Sequence, residues 1–266
     1  MSRCRIGTTV IDALKLCYMV NVEDLSALTG LGYGEWETIG DFSFFRVASQ
    51  HFAYSFNILH GSDEERHEVA QLRFARYGEQ QTDNIYAFLH IANSVLYDHS
   101  TLEQVLMLPE EMGMVFHNIT AIINGKAVKD RKETVTGFSQ TYSVSLVRLK
   151  NPTISIKQVK ALHNKNKGIT VCAYNKAMEI DASGKEYILN YYGRPKKLHR
   201  LEVHLNSQEV SDYFRGIGEV QDLSLIADAD ILDAMFYHHL SAVIRFSRGR
   251  HPLSWSDLLN CTGRAR

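Results

Sequence analysis

The chain has 266 residues, 45% of them hydrophobic and 22% charged, with a net charge of −1. That balance excludes a disordered or collagen-like chain and allows one large domain or two small ones, each with a buried core. With no apolar run of about 18 residues, no Cys-x-x-Cys among Cys4, Cys17, Cys172 and Cys261, and no apolar stretch after Met1-Ser2-Arg3-Cys4-Arg5, we expect no membrane helix, structural zinc or secretory signal, and a reduced, cytoplasmic protein.

In chain order, the first half reads mostly as strands. Val10 to Val20 alternates and is β-rich. Asn21 suits the N-cap of a short helix through Leu28, ended by Gly30. Phe42 to Val47, His51 to Leu59, Glu68 to Tyr77 and Ile85 to Val95 are further predicted strands, with turn signals such as Gly40-Asp41 and Gly61-Ser62-Asp63 between them. Their close spacing favours an antiparallel meander. Thr101 to Met112 reads as a helix interrupted near Pro109, and Asn124-Gly125 as a tight turn. Phe138 to Leu149 has β character, and Ile154 to Asn164 reads as a basic helix. Strands at 169–175 and 198–205 follow, with a helix around Lys185 to Tyr192 between them. Ser207 is the expected cap of the next helix. Leu223 to Phe246 reads as one long helix, with Asp228 and Asp230 at its N-terminus and His238-His239 on its surface. Trp255 to Asn260 reads as a last short helix. The expected fold is α+β, a central antiparallel sheet flanked by helices.

The near-zero net charge hides an asymmetry. Residues 1–120 hold 7 Lys/Arg against 16 Asp/Glu, residues 121–204 hold 16 against 6, and residues 205–266 hold 6 against 8. The chain therefore divides into a β-rich acidic half, 1–120, and a half that contains the basic block, 121–266, whether or not these are separate domains. The block's Lys160, Lys165, Lys167, Lys196 and Lys197 suit a DNA-binding face. A solvated lysine-rich surface is the plainer alternative.

Alternation on the 169–175 strand puts Thr170, Cys172 and Tyr174, with Lys176 next in series, on one face and Ile169, Val171 and Ala173 on the other. On the 198–205 strand Arg200, Glu202 and His204 share a face opposite Leu201, Val203 and Leu205. A phenol beside a cation and a carboxylate–imidazole pair is the equipment of strand cleavage through a phosphotyrosine. Tyr174 would attack phosphorus and keep the 5′ end. Lys176 or Arg200 would neutralise the phosphoryl oxygens, and Glu202 with His204 would hold a divalent metal. The competing account is an exposed cross-strand charge pair beside an edge tyrosine. No Walker loop and no Gly-x-Gly-x-x-Gly occur, so nucleotide-driven chemistry has no support.

Several phrases carry a family resemblance. They are Ile11-Asp12-Ala13-Leu14-Lys15-Leu16-Cys17-Tyr18, Ile123 to Arg131, Leu149-Lys150-Asn151-Pro152-Thr153, Asn166 to Lys176, Leu198 to Leu205, and His239 to Phe246. In this order the chain resembles the trans-acting Rep group of plasmid and phage replication initiation proteins, related to the relaxases of some conjugative elements. The resemblance spans most of the chain and is strongest from 121 to 246. It implies an HUH-endonuclease-like, Rep-like sheet and a rolling-circle initiator that nicks and rejoins one strand at an origin through Tyr174. It also implies Mg²⁺ or Mn²⁺ as cofactor. The implied partners are single- and double-stranded origin DNA, a host polymerase and a host helicase. A homodimer is compatible with it; a membrane partner is not expected.

One departure stands out. The family places acidic residues on a further central strand, yet no carboxylate lies between Glu111 and Asp130 here. Either Glu179 or Asp12 completes the metal set, or the chain is impaired as a nickase. Two other functions remain open on the sequence: a conjugative-transfer relaxase of the same fold, and a non-catalytic protein that still binds an origin.

Overall fold

The computed structural model describes residues 9–62, 65–76, 84–128, 135–139, 142–146, 156–160, 168–196, 198–243, 246–248 and 251–253. The elements in order are β1 (Thr9–Asn21), α1 (Ser26–Thr29), β2 (Trp36–Ile39), β3 (Phe42–Arg46), β4 (Tyr54–His60), β5 (His67–Phe74), β6 (Asn84–Ile91), α2 (His99–Glu111) and β7 (Val115–Val128). Then follow β8 (Val135–Ser139), β9 (Tyr142–Leu146), β10 (Ile156–Lys160), β11 (Ile169–Asn175), α3 (Lys176–Ser183), α4 (Glu186–Tyr191) and β12 (His199–Asn206). Last come α5 (Ser207–Ile217), α6 (Ala229–Val243), β13 (Phe246–Arg248) and β14 (His251–Leu253). The protein is α+β, with a large antiparallel sheet flanked by helices.

The chain divides into two compact units, one of residues 13–121 and one of residues 1–12 with 122–266. The described residues 9–12 thus group with the C-terminal part. The long strands β1 and β7 each run through both units, and this chain path delivers Asp12 to the C-terminal unit. Within that unit β10, β11 and β12 are successive neighbours, and β14-β13-β8-β9 form a smaller sheet.

Unit 13–121 is a meander in which β6, β5, β4, β3 and β2 are successive neighbours. Alternation explains it directly. Ile85, Ala87, Leu89 and Ile91 of β6 are buried, as are Ala70, Leu72 and Phe74 of β5. Phe44 and Phe56 meet edge to face at 6.5 Å between centroids in the same core. Arg46 is buried beside them, its guanidinium 4.7 Å over the Tyr54 ring, and donates to the Leu31 carbonyl at 2.8 Å. It thereby pins the loop before β2, a strand the sequence reading passed over.

The C-terminal unit departs from the sequence reading at five places. Asn124-Gly125 is not a turn: both lie inside β7, where a side chain at Gly125 would sit 2.4 Å from Arg200 Nε. The glycine is there to admit a guanidinium, not to bend the chain. Residues 156–160 are a strand rather than part of a basic helix, because β11 offers them an antiparallel partner, with Ile156 opposite Ala173 and Val159 opposite Val171. The cap of α5 is Asn206, which accepts from Glu209 N at 3.1 Å, and Ser207 is the first helical residue. The 223–246 segment is a short 3-10 turn (Leu223–Ile226), then α6, then β13. Asp228 Oδ1 accepts from Asp230 N and Ile231 N and restarts the helix. His239 is buried, not superficial, with Nδ1 2.8 Å from the Met235 carbonyl; His238 is the exposed member of the pair. In the other unit α2 runs through Pro109 to Glu111 without interruption, with the proline giving up one amide hydrogen bond near the helix end. The expected helix at Trp255 to Asn260 lies outside the described residues.

Candidate functional site

The pairing of β11 with β12 aligns the chemistry. Tyr174 lies opposite Arg200, Cys172 opposite Glu202, and Thr170 opposite His204. The two alternating faces inferred from sequence therefore meet as one. Beyond β11, Asn175 caps α3 by accepting from Met178 N at 3.3 Å, and Lys176 is the first helical residue. That turn folds the Lys176 side chain back along the strand, where Nζ donates to the Tyr174 phenol oxygen at 3.1 Å.

Glu202 is the hub. Its Oε1 accepts a very short hydrogen bond from the Tyr174 hydroxyl and lies 3.4 Å from Arg200 Nε. Its Oε2 lies 3.1 Å from His204 Nε2. Arg200 reaches Asp12 Oδ1 at 3.0 Å through Nη1, and Lys176 lies 2.8 Å from Glu179 Oε2 and 3.7 Å from Asp12 Oδ2. Lys185 stands 4.0 Å from the other Glu179 oxygen. The Arg200, Lys176 and Glu202 side chains are 0%, 3% and 6% exposed, while that of His204 is 34% exposed. The exposed charge pair weighed from the sequence is thus ruled out: the ions are buried, and water reaches them chiefly past His204 and the half-buried Tyr174.

Burying so many charges is a poor route to stability, because desolvation offsets most of the attraction. It is a common way to tune reacting groups. Burial first, and then the Glu202 charge and hydrogen bond, hold the Tyr174 phenol far above its ordinary range; Arg200 pulls in the other direction. For His204, burial lowers the basicity, but hydrogen bonds and charge from Cys172 and Glu202 outweigh it and raise the imidazole to about 9. Tyr187 on α4 is raised to about 12 by burial, Asp12 and Glu179. This tyrosine therefore borders the same cluster and is the closest competitor of Tyr174.

The structure brings together Tyr174, Lys176, Arg200, Glu202 and His204. It adds Asp12, which the sequence offered only as a substitute metal ligand, and Cys172 beside His204. A carboxylate in the apolar run Val10-Ile11-Asp12-Ala13-Leu14 was the available signal, since a charge on a buried strand requires a partner. Lys126 of β7 repeats that signal: it is buried, 2.5 Å from Asp233 and 3.1 Å from the Tyr237 hydroxyl of α6.

The expected metal ligands fit in part. The 3.1 Å separation of Glu202 Oε2 and His204 Nε2 matches adjacent vertices of an octahedron with bonds of about 2.1 Å. His204 must give up its proton for this, so a metal there competes with protonation. Glu179 is held by lysines, and among the described residues no three His, Cys, Asp or Glu side chains cluster as a metal set. Of the lysines assigned to DNA, Lys196 is exposed between α4 and β12 and Lys160 ends β10, while Lys165, Lys167 and Lys197 lie outside the described residues. Among the described residues no helix is long and apolar enough to cross a membrane. No protein-family model, curated protein or solved structure matches the chain.

Proposed function

We propose that this chain is a DNA strand-nicking and rejoining enzyme, a rolling-circle replication initiator with Tyr174 as its nucleophile. The observation that carries this reading is the Tyr174 hydroxyl held between a carboxylate and an ammonium, Glu202 and Lys176, in a cluster of buried ions. A phenol is a poor nucleophile while protonated, and Glu202 is already in position to take its proton as the bond to phosphorus forms. His204 shares the other carboxylate oxygen and holds Glu202 in place beside the phenol. Lys176 or Arg200, both buried behind Tyr174 and already ion-paired, would offset charge on the phosphoryl oxygens through their field rather than by direct contact. The Tyr174 oxygen–phosphorus bond forms as the phosphorus–O3′ bond breaks. The departing 3′ oxygen takes a proton from water and becomes the primer hydroxyl. Glu202 and His204 are the residues that would hold Mg²⁺ or Mn²⁺, which supplies Lewis-acid polarisation of the phosphate when bound. Lys196, with Lys160, Lys165, Lys167 and Lys197, would track the DNA backbone.

A second reading, origin binding without cleavage, draws on the same phenol: burial and Glu202 oppose its ionisation in the resting protein. Incubation with supercoiled plasmid carrying the DNA that flanks this chain's gene separates the two. Conversion to open circle in Mg²⁺ or Mn²⁺ is expected of the enzyme; binding with the plasmid left supercoiled would leave only the second reading.

A further inference from the structure

We infer that the open face of the sheet in unit 13–121 is a stacking platform for single-stranded nucleic acid. The pairing registers set Trp36, Phe45, Asn57, Gln71, His90 and Lys15 in one row across six strands. At about 4.8 Å per strand the row spans roughly 24 Å. Its reverse side is the core that holds Phe44, Ile58, Leu72 and Leu89. The row's own side carries large apolar groups left in water: Trp36 is 50% exposed, Tyr86 44%, Phe45 37% and Met19 37%. These are four of the ten large hydrophobic side chains that the described residues expose. A concentration of that kind on one face marks a binding surface rather than scattered exposure.

One ring already carries a planar cation and two others make tilted ring contacts. The Arg66 guanidinium lies 4.3 Å over the Trp36 ring. Tyr86 and His117 rings are 5.3 Å apart, and Phe88 and Phe52 rings 6.1 Å apart.

Charge selects the occupant. Between residues 13 and 121 the sequence has 15 acids and 5 Lys/Arg, yet the open face runs the other way. Glu37 pairs with Phe44 and so faces the core side, and the Glu68 carboxylate on the open side is capped by Gln71 at 2.8 Å. Lys15 and Arg73 lie on the open side. Burial first, and then their charges against the opposing charge of Glu68, push the His90 imidazole below its ordinary basicity. Aromatic rings interleaved with cations, in an otherwise acidic unit, match bases joined by phosphates. A second copy of the chain fits worse, since a twofold contact would set Lys15 and Arg73 against themselves.

The test uses the full chain carrying Trp255→Phe, which leaves Trp36 as the sole tryptophan. Short oligothymidine should quench Trp36 emission saturably. Phe45→Leu and Tyr86→Leu, checked for folding by circular dichroism, should each weaken binding about 5- to 100-fold. Lys15→Gln should reduce the salt slope by about 0.7 for its lost phosphate contact. Tyr174→Phe should leave the quenching unchanged, which keeps this surface distinguishable from the proposed nicking site. Absence of quenching, or binding that survives both ring substitutions, overturns the inference. Quenching by polyglutamate but not by oligothymidine would assign the face to an acidic polypeptide. A Trp36 signal that changes with protein concentration alone would assign it to self-association.

Discussion

Strands β6 and β12 carry similar alternating patterns, yet they sit in opposite environments. On β6 one face is core and the other, with Tyr86, Phe88 and His90, stays half open. On β12 both faces are closed from His199 to Val203, and Arg200 and Glu202 are as buried as the leucine and valine between and beside them. Alternation shows which residues share a face. It does not show whether that face meets water. On β12 Asp12, Tyr174 and Lys176 close the polar face, and charge is matched by charge instead of by solvent.

The largest test of that contrast is the removal of one buried partner. Arg200→Ala strands Glu202 and Asp12 and should cost about 3–5 kcal/mol in urea unfolding. Tyr86→Ala on the open face of β6 should stay within about 0.5 kcal/mol. Equal costs would mean that β12 is no more closed than β6.

Gly125→Ala is the next largest. The new methyl would meet Arg200 Nε at 2.4 Å and its second terminal nitrogen at 2.6 Å, in a cavity with no spare room. A loss of about 1–3 kcal/mol is expected. It should shrink toward zero in the Arg200→Ala background, because the two residues share one space. An additive double mutant would place the strain elsewhere.

The smallest effect has opposite signs in the two units. His204 is raised to about 9 against an unfolded value near 6.5, so its stabilising contribution is complete below about 6.5 and is lost as pH rises through about 9. The folded form of His90 is instead shifted down by burial, Lys15 and Arg73, which outweigh Glu68. Its contribution is present above about 6.5 and is lost as pH falls below it. Thermal melts across pH should show His204→Gln flattening the alkaline limb and His90→Gln the acid limb. The reverse assignment would contradict both environments.

Much of this was legible in the residues themselves. The meander of β3 to β6 followed from alternation and turn residues, because its open face stays half exposed and polar residues alternate with the core. The shared face of Tyr174 with Arg200, Glu202 and His204 followed from period two, and the register of β11 with β12 bears it out. The depth of the cluster was not legible, because the closing groups come from far along the chain: Asp12 from β1 and the space at Gly125 from β7. Gly125 misled for the same reason, since Asn-Gly in a sequence signals a turn unless a distant side chain needs the gap. The basic stretch at 156–160 carried helical character locally, and pairing with β11 overrode it.

The central claim is that Tyr174 is the nucleophile of a strand-transfer reaction. It is tested most directly by Tyr174→Phe, which keeps the ring and deletes the attacking oxygen. Labelled single-stranded DNA from the region of this chain's gene, incubated with protein and Mn²⁺ and run on a denaturing gel, should show a covalent adduct through the 5′ phosphate for the parent chain. The phenylalanine variant should bind the same DNA and form none. An adduct that persists in Tyr174→Phe, above all one that then disappears in Tyr187→Phe, would contradict the account and move the chemistry to the neighbouring helix.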